Sequence, residues 1–74
     1  MHRDARCVFG ERYPINANRY DINVYQVGDQ FYADWFCEYC HSRGETGMHA
    51  NQEDANQDSI AVVRAHHVQR HAIA

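Results

Sequence analysis

The 74-residue chain contains no leucine, no lysine and a single proline, Pro14. Without leucine, four isoleucines, six valines, three phenylalanines and one tryptophan must supply most of a core. A domain of this length buries only about 60% of the surface its unfolded chain exposes. Apolar burial set against about 1.5 kcal/mol of ordering entropy per residue then comes out near zero. One domain is the ceiling, and it needs a staple beyond its core. No apolar run is long enough to span a membrane, and residues 1–11, with Arg3, Asp4, Arg6 and Glu11, lack the hydrophobic stretch of an export signal. An intracellular setting is expected. The missing lysine leaves all seven basic residues as arginine, as a GC-rich bacterial or viral genome would encode, and carries no mechanistic weight. Ten acidic residues against those seven give a net charge of −3, which argues against a broad phosphate-neutralising surface.

Cysteine is scarce as well. Three cysteines cannot all pair within one chain, and two of them, Cys37 and Cys40, stand in a C-x2-C spacing. A metal staple therefore fits better than a disulfide framework.

The first nineteen residues show no sustained period and hold the only proline, so they are expected to form a loop-rich arm. Its apolar members Val8, Phe9, Tyr13 and Ile15 are too many for a solvated tail, and part of the arm should dock on the rest. Residues 20–74 are expected to form the domain. Segments 20–27 and 31–37 alternate in polarity around Gly28-Asp29, a pair suited to a tight hairpin turn. If Val27 pairs with Gln30, then Val24 lies opposite Ala33, Ile22 opposite Trp35 and Tyr20 opposite Cys37 on one apolar face. The register sends Cys37 toward the core and leaves Tyr25, Tyr32 and Phe36 on the other face. Residues 41–57 are polar, with room for a short return strand at 46–49. The remainder has a helical pattern, with Asn51 or Asp58 as cap, acidic residues at its start and Arg64 and Arg70 toward its end. The fold class is α+β: a hairpin packed on one C-terminal helix, a small ββα domain.

A C-x2-C turn presents two thiolates, and a helix presents two imidazoles four residues apart on one face, which together complete a zinc tetrahedron. Ile60, Val63, His67 and His71 recur at i, i+3, i+7 and i+11, so the apolar stripe leads to the two histidines. The expected ligands of one structural Zn2+ are Cys37, Cys40, His67 and His71. His66 competes with His67, because a four-residue interval to His71 is also tolerated, and Cys7 is a further candidate through a Cys3His set. His2, His41 and His49 read as surface residues.

Trp35 two residues before the first cysteine, the Cys37/Cys40 knuckle and the His67/His71 pair resemble the C2H2 zinc finger. The likeness covers about the last half of the chain and implies a closed zinc site without catalysis, and a nucleic-acid-binding role. It departs from that family in the 26 residues between Cys40 and His67, about twice the usual interval, and in the strand added before the knuckle.

Cys37-Glu38-Tyr39-Cys40-His41 also spells the C-x2-C-H motif of c-type haem attachment, which would make an electron-transfer protein. Haem is attached outside the bacterial cytoplasm, and the motif here ends a strand rather than sitting in a helix. The pair His67/His71 has metalloprotease spacing, but Val68 stands where the glutamate base would be required, so no enzyme is expected. The helix side opposite the stripe, Asp58, Val62, Ala65 and Gln69, is poor in phosphate-contacting residues. Val62, Gln69, Arg70 and the aromatics Tyr25, Tyr32 and Phe36 therefore point to a surface that meets another protein or a second copy of this chain. The alternative is nucleic-acid binding through Arg64, Gln69 and Arg70, helped by Arg3, Arg6 and Arg12.

Overall fold

The computed structural model describes residues 4–71. Four strands and one helix follow in order: β1 (Arg6–Ile15), β2 (Asn18–Val27), β3 (Gln30–Cys37), β4 (Arg43–Glu45) and α1 (Gln52–Arg70). The strands form one antiparallel sheet in sequence order, and α1 covers one face of it. The β2–β3 register is the one the alternation implies: Val27 pairs with Gln30, Val24 with Ala33, Ile22 with Trp35 and Tyr20 with Cys37. Gly28 takes the left-handed conformation at the turn, with φ of 62°.

The expectation of a loop-rich arm gives way at residues 6–15, which form an edge strand of the sheet. Two features hid it. The pairing with β2 slips between Cys7 and Phe9, so Val8 occupies a bulge and the two-residue period is broken there. Pro14 lies near the strand end and on the sheet edge, where a missing N–H costs no ladder bond. Tyr13 and Ile15 then pack from β1 onto the core, as docking of the arm required. The return strand also lies upstream of its expected place. β4 spans Arg43–Glu45, and the 46–49 stretch adds only the Thr46 bonds to Ala33 and a single bridge from His49 to Phe31.

Asn51 caps α1, its Oδ1 accepting from the Asp54 N–H at 2.8 Å. Asp58 instead lies within the helix, where His49 reaches it at 2.8 Å. The buried stripe of α1 is Ala55, Ser59, Val63 and His67, at i, i+4, i+8 and i+12. Ile60 is partly buried beside it. Two clusters line the interface. Val24, Ala33 and Ala55 lie under the first half of the helix, and Tyr20, Ile22, Trp35, Cys37 and Val63 under the second.

Gly44 of β4 sits against the indole of Trp35. A Cβ there would approach Trp35 Nε1 to 2.9 Å and Cε2 to 3.1 Å, and the His66 ring 5.1 Å away limits retreat on the other side. Gly44→Ala should cost about 1 to 3 kcal/mol, read as a lower urea midpoint with an unchanged slope. Gly47→Ala, with nothing within 4 Å of its added Cβ, should stay within about 0.5 kcal/mol of the parent.

Candidate metal centre

β3 ends at Cys37, and the chain turns back at once. The His41 N–H donates to the Cys37 carbonyl at 2.8 Å, and the Cys37 N–H donates to the Ser42 carbonyl at 2.8 Å. Closing so tight a loop needs one left-handed residue, and His41 supplies it with φ of 64°. Its ring stacks on Phe36 at 5.7 Å and 13°, on the sheet face away from α1. The Glu38 N–H donates to the Arg19 carbonyl at 3.1 Å, which fastens the loop to the start of β2.

Cys37 is fully buried. Burial alone would push its thiol up, but the Cys40 backbone N–H, the Asn18 amide at 3.4 Å, the Tyr39 N–H and the Cys40 thiol outweigh it and hold the group below the usual cysteine range. Such donors favour a thiolate, the form a metal needs. Cys40 is exposed, 3.1 Å from Ser42 Oγ.

The helix brings two imidazoles to these sulfurs. His66 Nε2 lies 3.4 Å from Cys40 Sγ, His71 Nε2 lies 3.6 Å from Cys37 Sγ, and the two Nε2 atoms are 3.2 Å apart. All four ligand atoms lie within 4.8 Å of one another, a cluster that could hold one metal ion. Burial, then the neighbouring His71, Arg70 and His67, lower the pKa of His66, which favours the neutral ring that ligation requires.

The structure thus brings together Cys37, Cys40 and His71 as expected, but His66 takes the place given to His67. The reason is helical phase. His67 continues the Ala55, Ser59, Val63 stripe and is driven against the sheet, only 7% exposed. There its Nε2 accepts from the Asn16 amide at 3.4 Å and its Nδ1–H donates to the Tyr20 hydroxyl at 3.2 Å, so both ring nitrogens are engaged. Tyr20 itself is pushed up to about 12, first by burial and then by Cys37, and stays a neutral phenol. His66, one residue earlier, projects toward the knuckle beside Trp35. His71 would point away from His66 in a continuing helix. It is instead the C-cap, with φ of −127° and ψ of −14°, and that departure swings its ring back.

Cys7 is no part of the cluster: it pairs with Tyr25 in the half of the sheet remote from Cys37. Of the expected contact surface, Val62 and Gln69 are exposed on α1, and Arg70 borders a cleft beside the cluster. Tyr32, expected on an open face, is only 3% exposed and stacks on a half-buried Tyr25 at 5.1 Å. Phe36 is half-covered, with the Arg43 guanidinium 5.3 Å above its ring. Asn16 and Asn18, which hold His67 and Cys37, lacked any motif. Their only signal was a pair of asparagines around a two-residue turn, with Asn16 at φ of 56°. Among the described residues, no helix is long and apolar enough to cross a membrane.

These positions separate the two histidines experimentally. His66→Ala should lose stoichiometric metal after dialysis, whereas His67→Ala should keep it and lose about 2 to 4 kcal/mol of stability instead. Tyr20→Phe should also retain metal while costing about 1 to 3 kcal/mol, through the partner left on His67. Elemental analysis beside denaturation curves reads both effects, and metal loss from His67→Ala with retention by His66→Ala would reverse the assignment.

No protein-family model matches the chain, and neither does any curated protein or solved structure. The likeness to C2H2 fingers rests on the two cysteines, the two histidines and the strand-to-helix setting alone.

Proposed function

We propose that this chain is a small binding module built around one structural zinc ion, and that it recognises a protein partner. The observation that carries the metal is that four ligand atoms lie within 4.8 Å of one another, with three of their six separations at zinc-like values. Zinc bonds of about 2.3 Å to sulfur and 2.05 Å to nitrogen, at tetrahedral angles, set S···N near 3.6 Å and N···N near 3.3 Å. The distances here are 3.6 and 3.4 Å for S···N and 3.2 Å for N···N. Two thiolates with two imidazoles are a donor set that suits zinc over the hard cations.

With four protein ligands no position stays open for water or substrate, so the metal supplies geometry and no reaction. Cys37, from the end of β3, and Cys40, from the knuckle, would be tied to His66 and His71 at the end of α1. That linkage would supply the staple the small core lacks, since zinc binding in finger peptides contributes about 10 to 16 kcal/mol.

A protein partner is favoured over nucleic acid because the arginines are few and two of them are engaged. Arg12 pairs with Asp21 and Glu38, and Arg64 donates twice to the Tyr13 hydroxyl. The large exposed apolar side chains include Tyr39 at 74% and Val68 at 69%. Tyr39 lies in the knuckle, edge-on to His71, and Val68 borders a hollow beside His67. A haem on Cys37 and Cys40 is disfavoured by the complete burial of Cys37 and by the His41 ring stacked on Phe36.

Purified protein should contain one zinc per chain and no visible absorption band. Cys40→Ser and His71→Ala should each abolish cooperative unfolding. A colourless, metal-free parent with the same transition as these variants would end the zinc reading.

A further inference from the structure

Beside the cluster, the β1–β2 turn, the knuckle and the last turn of α1 enclose a cleft of about 640 Å³, bordered by Asn16, Asn18, Tyr39, His67, Arg70 and His71. Two shallower hollows continue it. One shares Ala17, Asn18 and Tyr39 with the cleft and runs toward Arg19 and Glu38. The other shares His67 and has an apolar wall of Pro14, Ile15 and Val68. Through these shared residues the three hollows make a trough around the turn.

The charge along this trough is opposite in sign to that of the whole protein. The net charge is −3, yet the charged groups lining the three hollows are Arg19, Arg64 and Arg70 against Glu38 alone. Glu38 already has Arg12 at 3.6 Å, and Arg64 is held by the Tyr13 hydroxyl. Arg19 and Arg70 have no carboxylate partner among the described residues. Much of the acidic charge lies elsewhere, with Glu53, Asp54 and Asp58 in the first two turns of the helix and Asp21, Asp34 and Glu45 on the sheet face away from α1.

We infer that this trough binds an extended acidic segment of a partner protein, with a carboxylate side chain on Arg70 and a neighbouring aliphatic side chain against Val68, Pro14 and Ile15. The inference rests on the reading of a zinc-held protein-binding module and gives that module's partner a chemistry. An aspartate or glutamate suits a planar guanidinium bidentately, and the adjacent apolar wall demands a side chain that a phosphate backbone does not offer. Two unpartnered arginines fall short of the row of cations that tracks a nucleic-acid strand. Tyr39, edge-on to the His71 ring at 4.9 Å, forms the outer lip of the cleft. Three walls, from separate parts of the chain, meet beside the cluster, where a bound metal would tie knuckle to helix end, so occupancy of the trough should follow occupancy of the metal site.

The test uses isotope-labelled full-length protein loaded with zinc, its amide signals followed by NMR. The probes are a capped octapeptide of alternating aspartate and leucine, the same peptide with asparagine for aspartate, and a single-stranded thymidine dodecamer. The expected result is shifts at Ala17, Asn18, Tyr39 and Arg70 with the aspartate peptide only, weakened by added salt. Arg70→Gln and Val68→Asp should each weaken binding about tenfold, the loss of one charge-assisted or apolar contact, while Arg43→Gln, outside the trough, should not. Zinc content measured on each sample tells failure of the metal reading from failure of this one. Equal response to the asparagine peptide, response to the dodecamer alone, or no response to any probe in zinc-replete protein would overturn the inference.

Discussion

Tyr20 lies directly opposite Cys37 across the β2–β3 pair, and the rest of the molecule follows from that pairing. It places a phenol and a thiol side by side on the helix-covered face, at the end of the sheet where β3 stops. The phenol hydroxyl takes the Nδ1–H of His67, which reinforces the rotation that the Ala55, Ser59 and Val63 stripe gives α1. With His67 committed to the sheet, His66 is carried round to the knuckle, and the cap at His71 folds the second imidazole back onto Cys37. The cross-strand pair and the buried stripe of α1 together decide which histidines reach the sulfurs. A one-residue slip in the hairpin would turn Cys37 and Tyr20 to the other face and undo the arrangement.

Two amide side chains at the same end of the protein reach the buried His67 and Cys37. Asn16, in the β1–β2 turn, and Asn18, at the start of β2, donate to His67 and Cys37. They orient the side chains around the cluster from the β1–β2 turn and the start of β2, which contribute no ligand. The opposite half, under the first turns of α1, is packed with small residues: Val24, Ala33 and Ala55. Such a core is thin, and a metal that ties knuckle to helix end would hold the heavier half together where apolar area is insufficient.

Much of this was legible in the residues. The hairpin register followed from alternation around Gly28-Asp29, and the C-x2-C spacing picked out both sulfurs. Asn51 was one of two caps the sequence offered, with Asp58, and the structure chose between them. β1 was not legible, since the Val8 bulge and Pro14 erased the local period that marks a strand. Tyr32 was placed on an open face by the same alternation, which reports the side of the sheet but not what lies above it.

Composition and spacing alone pointed to a small α+β unit with a thin core, and singled out Cys37, Cys40 and a C-terminal histidine pair as the groups that could hold a metal. Those conclusions depend on chain length, on a two-residue period and on the reach of a tight turn, which are local properties. Only the tertiary structure decided between His66 and His67. Adjacent residues on a helix differ by about 100° in direction, and their chemistry is identical. What separates them is which one meets Tyr20 and which one meets Cys40, and that depends on the sheet beneath them.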